Sequence, residues 1–142
     1  MDKIKIIIAD DSDFVRDGMR IILDVDADFE VIGCARNGRE AIEIAKESAP
    51  DIFLMDIQMP EMDGFELVKK IRAYSTYQNL PVVALSANAT YRETDYIEQG
   101  FTTYLSKPFT GQALLQVVRQ LTGFCTSSPS PQQQTESEEE IT

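Results

Sequence analysis

Residues 51–64 read "DIFLMDIQMPEMDG". An apolar run ends on an aspartate, and the chain then breaks through Met59-Pro60 into a turn that closes on Gly64. A run this short and this apolar, bounded by turn residues, predicts a buried strand. Gly64 then opens a helix over 64–73, with Leu67 and Ile71 at helical spacing on its inner side. The strand delivers one carboxylate, Asp56, to its tip and stops.

The same pattern recurs on either side. "IKIIIA" (Ile4–Ala9) predicts a strand buried on both faces that halts at Asp10-Asp11. Ser12 or Asp13 can cap the helix that follows, whose inner positions are Val15, Met19 and Ile22. "FEVIGCA" (Phe29–Ala35) is a second strand, and "NGREAIEIAKESA" a second amphipathic helix with Ala41, Ile44 and Ala45 inward. "PVVALSA" is a fourth strand whose proline stands at its first residue, where the missing N–H is tolerated. A more polar helix over 91–99 ends at Gly100, "TTYLSKP" is a short fifth strand, and Thr110 caps a last helix with Leu114, Val118 and Leu121 inward. Five strands alternating with five helices predict an α/β fold, a parallel sheet covered on both faces.

Composition narrows the chemistry. The 142 residues suit one domain with a single core, and no apolar run approaches a membrane span. The start "MDKIKIIIADD" lacks the shape of a signal peptide, so a cytoplasmic location is expected. The net charge of −11 repels phosphate backbones and argues against nucleic-acid binding by this domain. Four glutamates of the closing "TESEEEIT" contribute to it, and setting them aside leaves −7. From Thr126 the text "TSSPSPQQQTESEEEIT" has one apolar residue, so 1–123 is read as the domain and 124–142 as a disordered acidic tail or linker stub. Cys34 and Cys125 have no metal or redox spacing and are read as free thiols. The chain has no histidine, which removes Ser-His-Asp triads and the usual zinc sites.

Carboxylates, hydroxyls and lysine remain, and they stand at strand ends. In an open parallel sheet, ligands bind outside the carboxyl ends of the strands. There the sequence places Asp10-Asp11, Asp56, Ser86 and Lys107. Three carboxylates at neighbouring tips repel one another unless a cation neutralises them, and a small oxygen-seeking ion such as magnesium suits that donor set. With an ammonium and a hydroxyl added, the set fits a transferring phosphoryl group, whose charge spreads over three oxygens. The central carboxylate can be the nucleophile and form an acyl phosphate. Each piece alone has a plainer reading: Asp10-Asp11 as helix capping, Ser86-Ala87 as small residues ending a strand, Lys107-Pro108 as a loop signal. Their joint position carries the weight.

Asp10-Asp11, Asp56 with "MPEMDG", Ser86-Ala87 and Lys107-Pro108 together resemble the receiver domain of two-component response regulators, of the chemotaxis-regulator-like kind. The likeness runs from about Lys3 to Gly123. It implies a flavodoxin-like, doubly wound sheet of order 2-1-3-4-5 and a signalling switch. It implies Asp56 as the acceptor of a phosphoryl group from a partner phosphohistidine, and Mg2+ or Mn2+ held by Asp10, Asp11, Asp56 and the backbone carbonyl of Gln58. It implies Ser86, Ala87 and Lys107 around the phosphoryl oxygens, Tyr104 as the aromatic that moves with Ser86, and a cis peptide before Pro108. Gln58 and Asn88 flank the expected path of the hydrolytic water.

The expected partners are a histidine kinase or a histidine phosphotransfer protein. It would dock on a second apolar stripe of the first helix, Phe14, Gly18 and Ile21. The output contact falls on the fourth helix, fifth strand and last helix, including Arg92, Thr103 and Tyr104, with a phosphorylation-dependent homodimer as one form. No catalysis beyond self-phosphorylation and self-dephosphorylation is expected. The alternatives are an interaction module without phosphorylation, or a phosphohydrolase working through an aspartyl phosphate. The second commonly needs an acid where Gln58 stands.

Overall fold

The computed structural model describes residues 3–59, 62–88 and 90–123. Elements follow in the order β1 (Ile4–Ala9), α1 (Asp13–Asp24), β2 (Phe29–Ala35), α2 (Gly38–Glu47), β3 (Ile52–Asp56), α3 (Gly64–Arg72), β4 (Val82–Ser86), α4 (Glu93–Gln99), β5 (Thr103–Ser106) and α5 (Gly111–Thr122). All strand pairs are parallel and the sheet order is β2-β1-β3-β4-β5, the doubly wound arrangement the sequence implies.

The two-residue period of the strands sorts the core into two layers. Ile7, Ala9, Phe53, Met55, Val82 and Ala84 point to one face, under Ala41 and Ala45 of α2, Leu67, Val68 and Ile71 of α3, and Tyr96 of α4. Ile6, Ile8, Ile52, Leu54, Val83 and Leu85 point to the other, under Met19 and Leu23 of α1 and Leu114 and Val118 of α5. β3 and β4 are buried along their whole length, which is why their sequences do not alternate.

The helix starts are fixed by side chains the sequence supplies. Ser12, Asn37, Asp63 and Thr110 each accept the N–H three residues on and so satisfy an otherwise orphaned donor. Gly100 and Gly123 end α4 and α5 at φ 117° and 71°, left-handed values that favour glycine.

Several expectations need correction. Lys5 interrupts the burial of β1, with its side chain exposed at the sheet's lower end and its N–H held by the Asp51 carboxylate at 2.8 Å. α4 begins at Glu93, two residues later than expected, because the Arg92 N–H is taken by the Asp95 carboxylate at 2.8 Å. β5 loses Thr102, whose hydroxyl accepts the Val82 N–H at 3.0 Å and pins the loop to β4. Val15, Ile22, Ile44 and Leu121 are only half-buried, while Leu23 is fully buried and escaped the sequence reading. A 3-10 turn over Ser75–Tyr77 also went unforeseen. Arg72 organises that region by donating to the carbonyls of Gly100, Tyr77 and Leu80, which ties α3 to the end of α4 and the entry of β4. The tail from residue 124, and Cys125 with it, lies outside the described residues. Among them no helix is long and apolar enough to cross a membrane.

Candidate phosphoryl-transfer site

The sheet's carboxyl edge gathers the polar strand ends. Asp10 follows β1 and is fully buried. One of its carboxylate oxygens accepts the Ser12 N–H at 2.9 Å and the other faces the Lys107 ammonium at 2.9 Å. Its backbone carbonyl accepts the Arg16 guanidinium at 2.7 Å, so the β1–α1 turn is fixed on three sides. Asp56 is only 4% exposed, and its Oδ1 accepts the Gln58 N–H at 3.1 Å and lies 3.5 Å from Lys107 Nζ. Asp11 stands exposed at the rim. One oxygen from each of Asp10, Asp11 and Asp56 lies within 4.8 Å of the others.

Lys107 is placed by its own backbone, whose N–H donates to the Ser86 carbonyl at 2.7 Å, and the Lys107-Pro108 peptide is cis. The ammonium therefore sits between two buried carboxylates as their internal counter-charge. It does not fully compensate them. Burial pushes the Asp56 carboxyl up to about 6 and the Asp10 charge adds to the rise, against the Gln58 N–H and Lys107, which pull it down. At neutral pH Asp56 is still largely ionised, and so available as a nucleophile.

Ser86 ends β4 beside Asp56, whose register partner is Leu85, one residue earlier. Its buried hydroxyl accepts the Asn88 N–H at 3.0 Å, which leaves the hydroxyl proton free to donate elsewhere. Ala87 is exposed beyond it, and the Asn88 side chain caps the Thr90 N–H at 2.8 Å. The Gln58 side chain is exposed on the other side of Asp56. The quintet Asp10, Asp11, Asp56, Ser86 and Lys107 thus shares one rim. Tyr104 lies two residues below Ser106, the register partner of Ser86, and is half-buried with its ring stacked on Tyr96.

Phe14 is 87% exposed, Ile21 is exposed, and a Cβ at Gly18 would meet nothing within 4 Å. Phe14 and Gly18 line a largely apolar groove that runs past Met19 to Ala87, Pro108 and Phe109 and opens beside Lys107. Ile21 lies off this groove and extends the stripe along α1.

Two contributors escaped the sequence reading. Phe109 walls the groove, and only its place after Lys107-Pro108 hinted at that. Arg16 holds Asp10, and its position one turn into α1 was the available signal. Gly64 does more than open a helix, because a Cβ there would lie 2.6 Å from the Ile57 Cα and 2.9 Å from the Asp56 carbonyl oxygen. Only glycine lets α3 start against the backbone that carries the acceptor aspartate.

A doubly wound sheet with carboxylates, a lysine and a serine hydroxyl at its carboxyl edge defines a phospho-accepting α/β switch. The chain belongs to the response regulator receiver domain family, which it matches over residues 6–119. It is 40% identical over 108 residues to protein-glutamate methylesterase/protein-glutamine glutaminase 2 of Carboxydothermus hydrogenoformans, covering 76% of this chain and 30% of that protein. It is 40% identical over 119 residues to the transcriptional regulatory protein LnrK of Bacillus subtilis, covering 81% of this chain and 52% of that one. The chain therefore spans a third to a half of the length of these curated relatives. Among solved structures, the receiver domain of sensor histidine kinase PA1611 from Pseudomonas aeruginosa PAO1 has a TM-score of 0.77 at 25% identity, covering 85% of this chain and 98% of that one. It holds a magnesium ion coordinated in its active site cleft.

Proposed function

We propose that Asp56 accepts a phosphoryl group from the phosphohistidine of a partner kinase or phosphotransfer protein. The supporting observation is the Lys107 ammonium shared between Asp10 and Asp56, with Asp11 at the open rim. The all-oxygen donor set of Asp10, Asp11, Asp56 and the Gln58 carbonyl suits Mg2+ or Mn2+. A cation bound there would supply the positive charge that offsets the carboxylates and the phosphoryl oxygens.

The chain's own residues do the rest. An Asp56 carboxylate oxygen attacks phosphorus as the P–N bond to the donor imidazole breaks, and the departing imidazole takes up a proton. The product is an acyl phosphate. Lys107 turns its ammonium from Asp10 to a phosphoryl oxygen, and the free proton of the Ser86 hydroxyl is donated to another. Ala87 is small enough to leave that approach open. Gln58 and Asn88 stand on either side of the water's path to phosphorus. Replacing each by lysine is expected to change the acyl-phosphate lifetime severalfold, and unchanged lifetimes would remove them from that role.

The groove at Phe14, Gly18 and Phe109 receives the donor helix, with Ile21 extending the contact. The domain catalyses only its own phosphorylation and dephosphorylation, in the cytoplasm, and passes its state to an output partner or a second copy through α4, β5 and α5.

Intact mass after incubation with acetyl phosphate and magnesium tests the chemistry. One added phosphoryl group is expected, absent from the Asp56→Ala variant and without magnesium. Failure to form either this adduct or a beryllofluoride complex, with magnesium shown to bind, overturns the phosphoacceptor reading.

A further inference from the structure

A groove between α3 and α4, away from the phosphoryl-transfer rim, combines aromatic rings with uncompensated acid. Phe65 of α3, Tyr91 just before α4, and Asp95, Glu98 and Gln99 of α4 line a cavity of about 420 Å³. Phe65 and Tyr91 meet edge-on with centroids 5.3 Å apart. Phe65 is held from behind by Tyr96 and Phe101, whereas Tyr91 keeps 37% of its surface exposed. Spacings of three and four residues set Asp95, Glu98 and Gln99 on one flank of α4. Glu93 faces the other flank, where the Thr103 hydroxyl of β5 donates to it at 3.4 Å. The groove is therefore separate from the α4–β5–α5 surface. α4 carries three carboxylates and no lysine or arginine, and no cation lines the groove. One Asp95 oxygen accepts the Arg92 N–H at 2.8 Å, while Glu98 has no hydrogen-bond or ion-pair partner among the described residues.

We propose that this groove docks an arginine side chain carried by a partner protein. A guanidinium is planar and weakly hydrated, so it can lie against the Tyr91 ring while its forked donors reach Asp95 and Glu98. A lysine ammonium would satisfy the charge but use the ring less well. The rings keep water from one side of the pair, which makes it stronger than an ion pair on open surface. An apolar neighbour of the arginine covers Phe65. Charge rules out the other occupants: nucleic acid and anionic lipid are repelled, and the chain's own "TSSPSPQQQTESEEEIT" contains no lysine or arginine to offer. The proposal is independent of phosphorylation at Asp56.

The test uses the unphosphorylated full chain, isotope-labelled for backbone amide spectra, and a short acetylated, amidated peptide of alternating arginine and leucine. Saturable shifts are expected at Phe65, Tyr91, Asp95 and Glu98, and none when citrulline, the uncharged isostere, replaces arginine. Glu98→Lys changes an exposed side chain and should leave the fold intact while weakening binding about tenfold or more. Tyr91→Leu should weaken it severalfold through loss of the ring. Glu30→Lys makes the same charge change on β2, at the far edge of the sheet from β5, and should bind as the wild type does. Equal weakening by Glu30→Lys and Glu98→Lys would reduce the effect to net charge and overturn the proposal. So would shifts that miss the groove, equal binding of the citrulline peptide, or undiminished binding by Tyr91→Leu. Self-association through the groove without peptide, detected by sedimentation and lost in Glu98→Lys, would overturn the choice of a partner protein in favour of a second copy.

Discussion

Asp56→Asn is expected to stabilise the magnesium-free protein at pH 7.5 by about 1–2 kcal/mol, and the gain is expected to vanish by about pH 4. The side chain is buried beside Asp10, and the carboxyl is raised from 3.8 to about 6. A folded pKa above the unfolded one means that the native state takes up the proton more readily. The stability linked to that proton is fully present below about 4 and is lost as the pH rises through about 6. At neutral pH the wild type carries a charge its pocket disfavours, and the asparagine does not. Asn retains an oxygen for the Gln58 N–H, and Lys107 keeps Asp10 at 2.9 Å, so little else changes. The full shift corresponds to about 3 kcal/mol, and the open rim of the pocket screens part of it. Urea unfolding of both proteins from pH 4 to 7.5 measures the difference directly. Equal midpoints at every pH would mean that the pocket does not strain the acceptor, and that its reactivity owes nothing to burial.

The origin of that strain shows how far the sequence could be read. The apolar runs of β1, β3 and β4 were legible because strands buried on both faces admit almost no polar residue until they end, so Asp10, Asp56 and Ser86 marked the carboxyl edge by interruption alone. The caps at Ser12 and Thr110 were legible because capping is local. Whatever depends on partners distant in the chain was not. Arg72 reads as a charge on the outside of α3, yet its guanidinium serves three carbonyls contributed by other segments. Tyr96 reads as one aromatic in a polar helix, and its burial follows from Phe65 of α3, Phe101 of the α4–β5 loop and Tyr104 of β5 closing around it. α4 was placed two residues too early because the N-cap there is a backbone N–H held by a side chain three residues ahead, a signal that Asp95 alone does not announce. The sharing of Lys107 between Asp10 and Asp56 follows from the placement of β5 beside β4, and only topology supplies it.

That sharing sets the second large effect, which runs in opposite directions for folding and for magnesium. Lys107→Met removes the ammonium held between Asp10 and Asp56. The two carboxylates are then buried together without compensation, and the magnesium-free protein is expected to lose about 1–3 kcal/mol, less than for a fully enclosed pair because the lysine is partly exposed. Magnesium meets no competitor in the variant, so its affinity should rise about tenfold as it takes over the neutralising role, and saturating magnesium should restore most of the lost stability. Charging by acetyl phosphate should nonetheless slow by about 100-fold, because the ammonium that would follow the charge onto the phosphoryl oxygens is gone. Denaturation with and without magnesium, read beside the rate of adduct formation, separates these contributions. A variant that loses stability but binds magnesium no better would show that Lys107 and the cation occupy different ground. The lysine would then be a fixed structural tie between β5 and the acid pocket, and the transfer of its ammonium from Asp10 to the phosphoryl group would have to be abandoned.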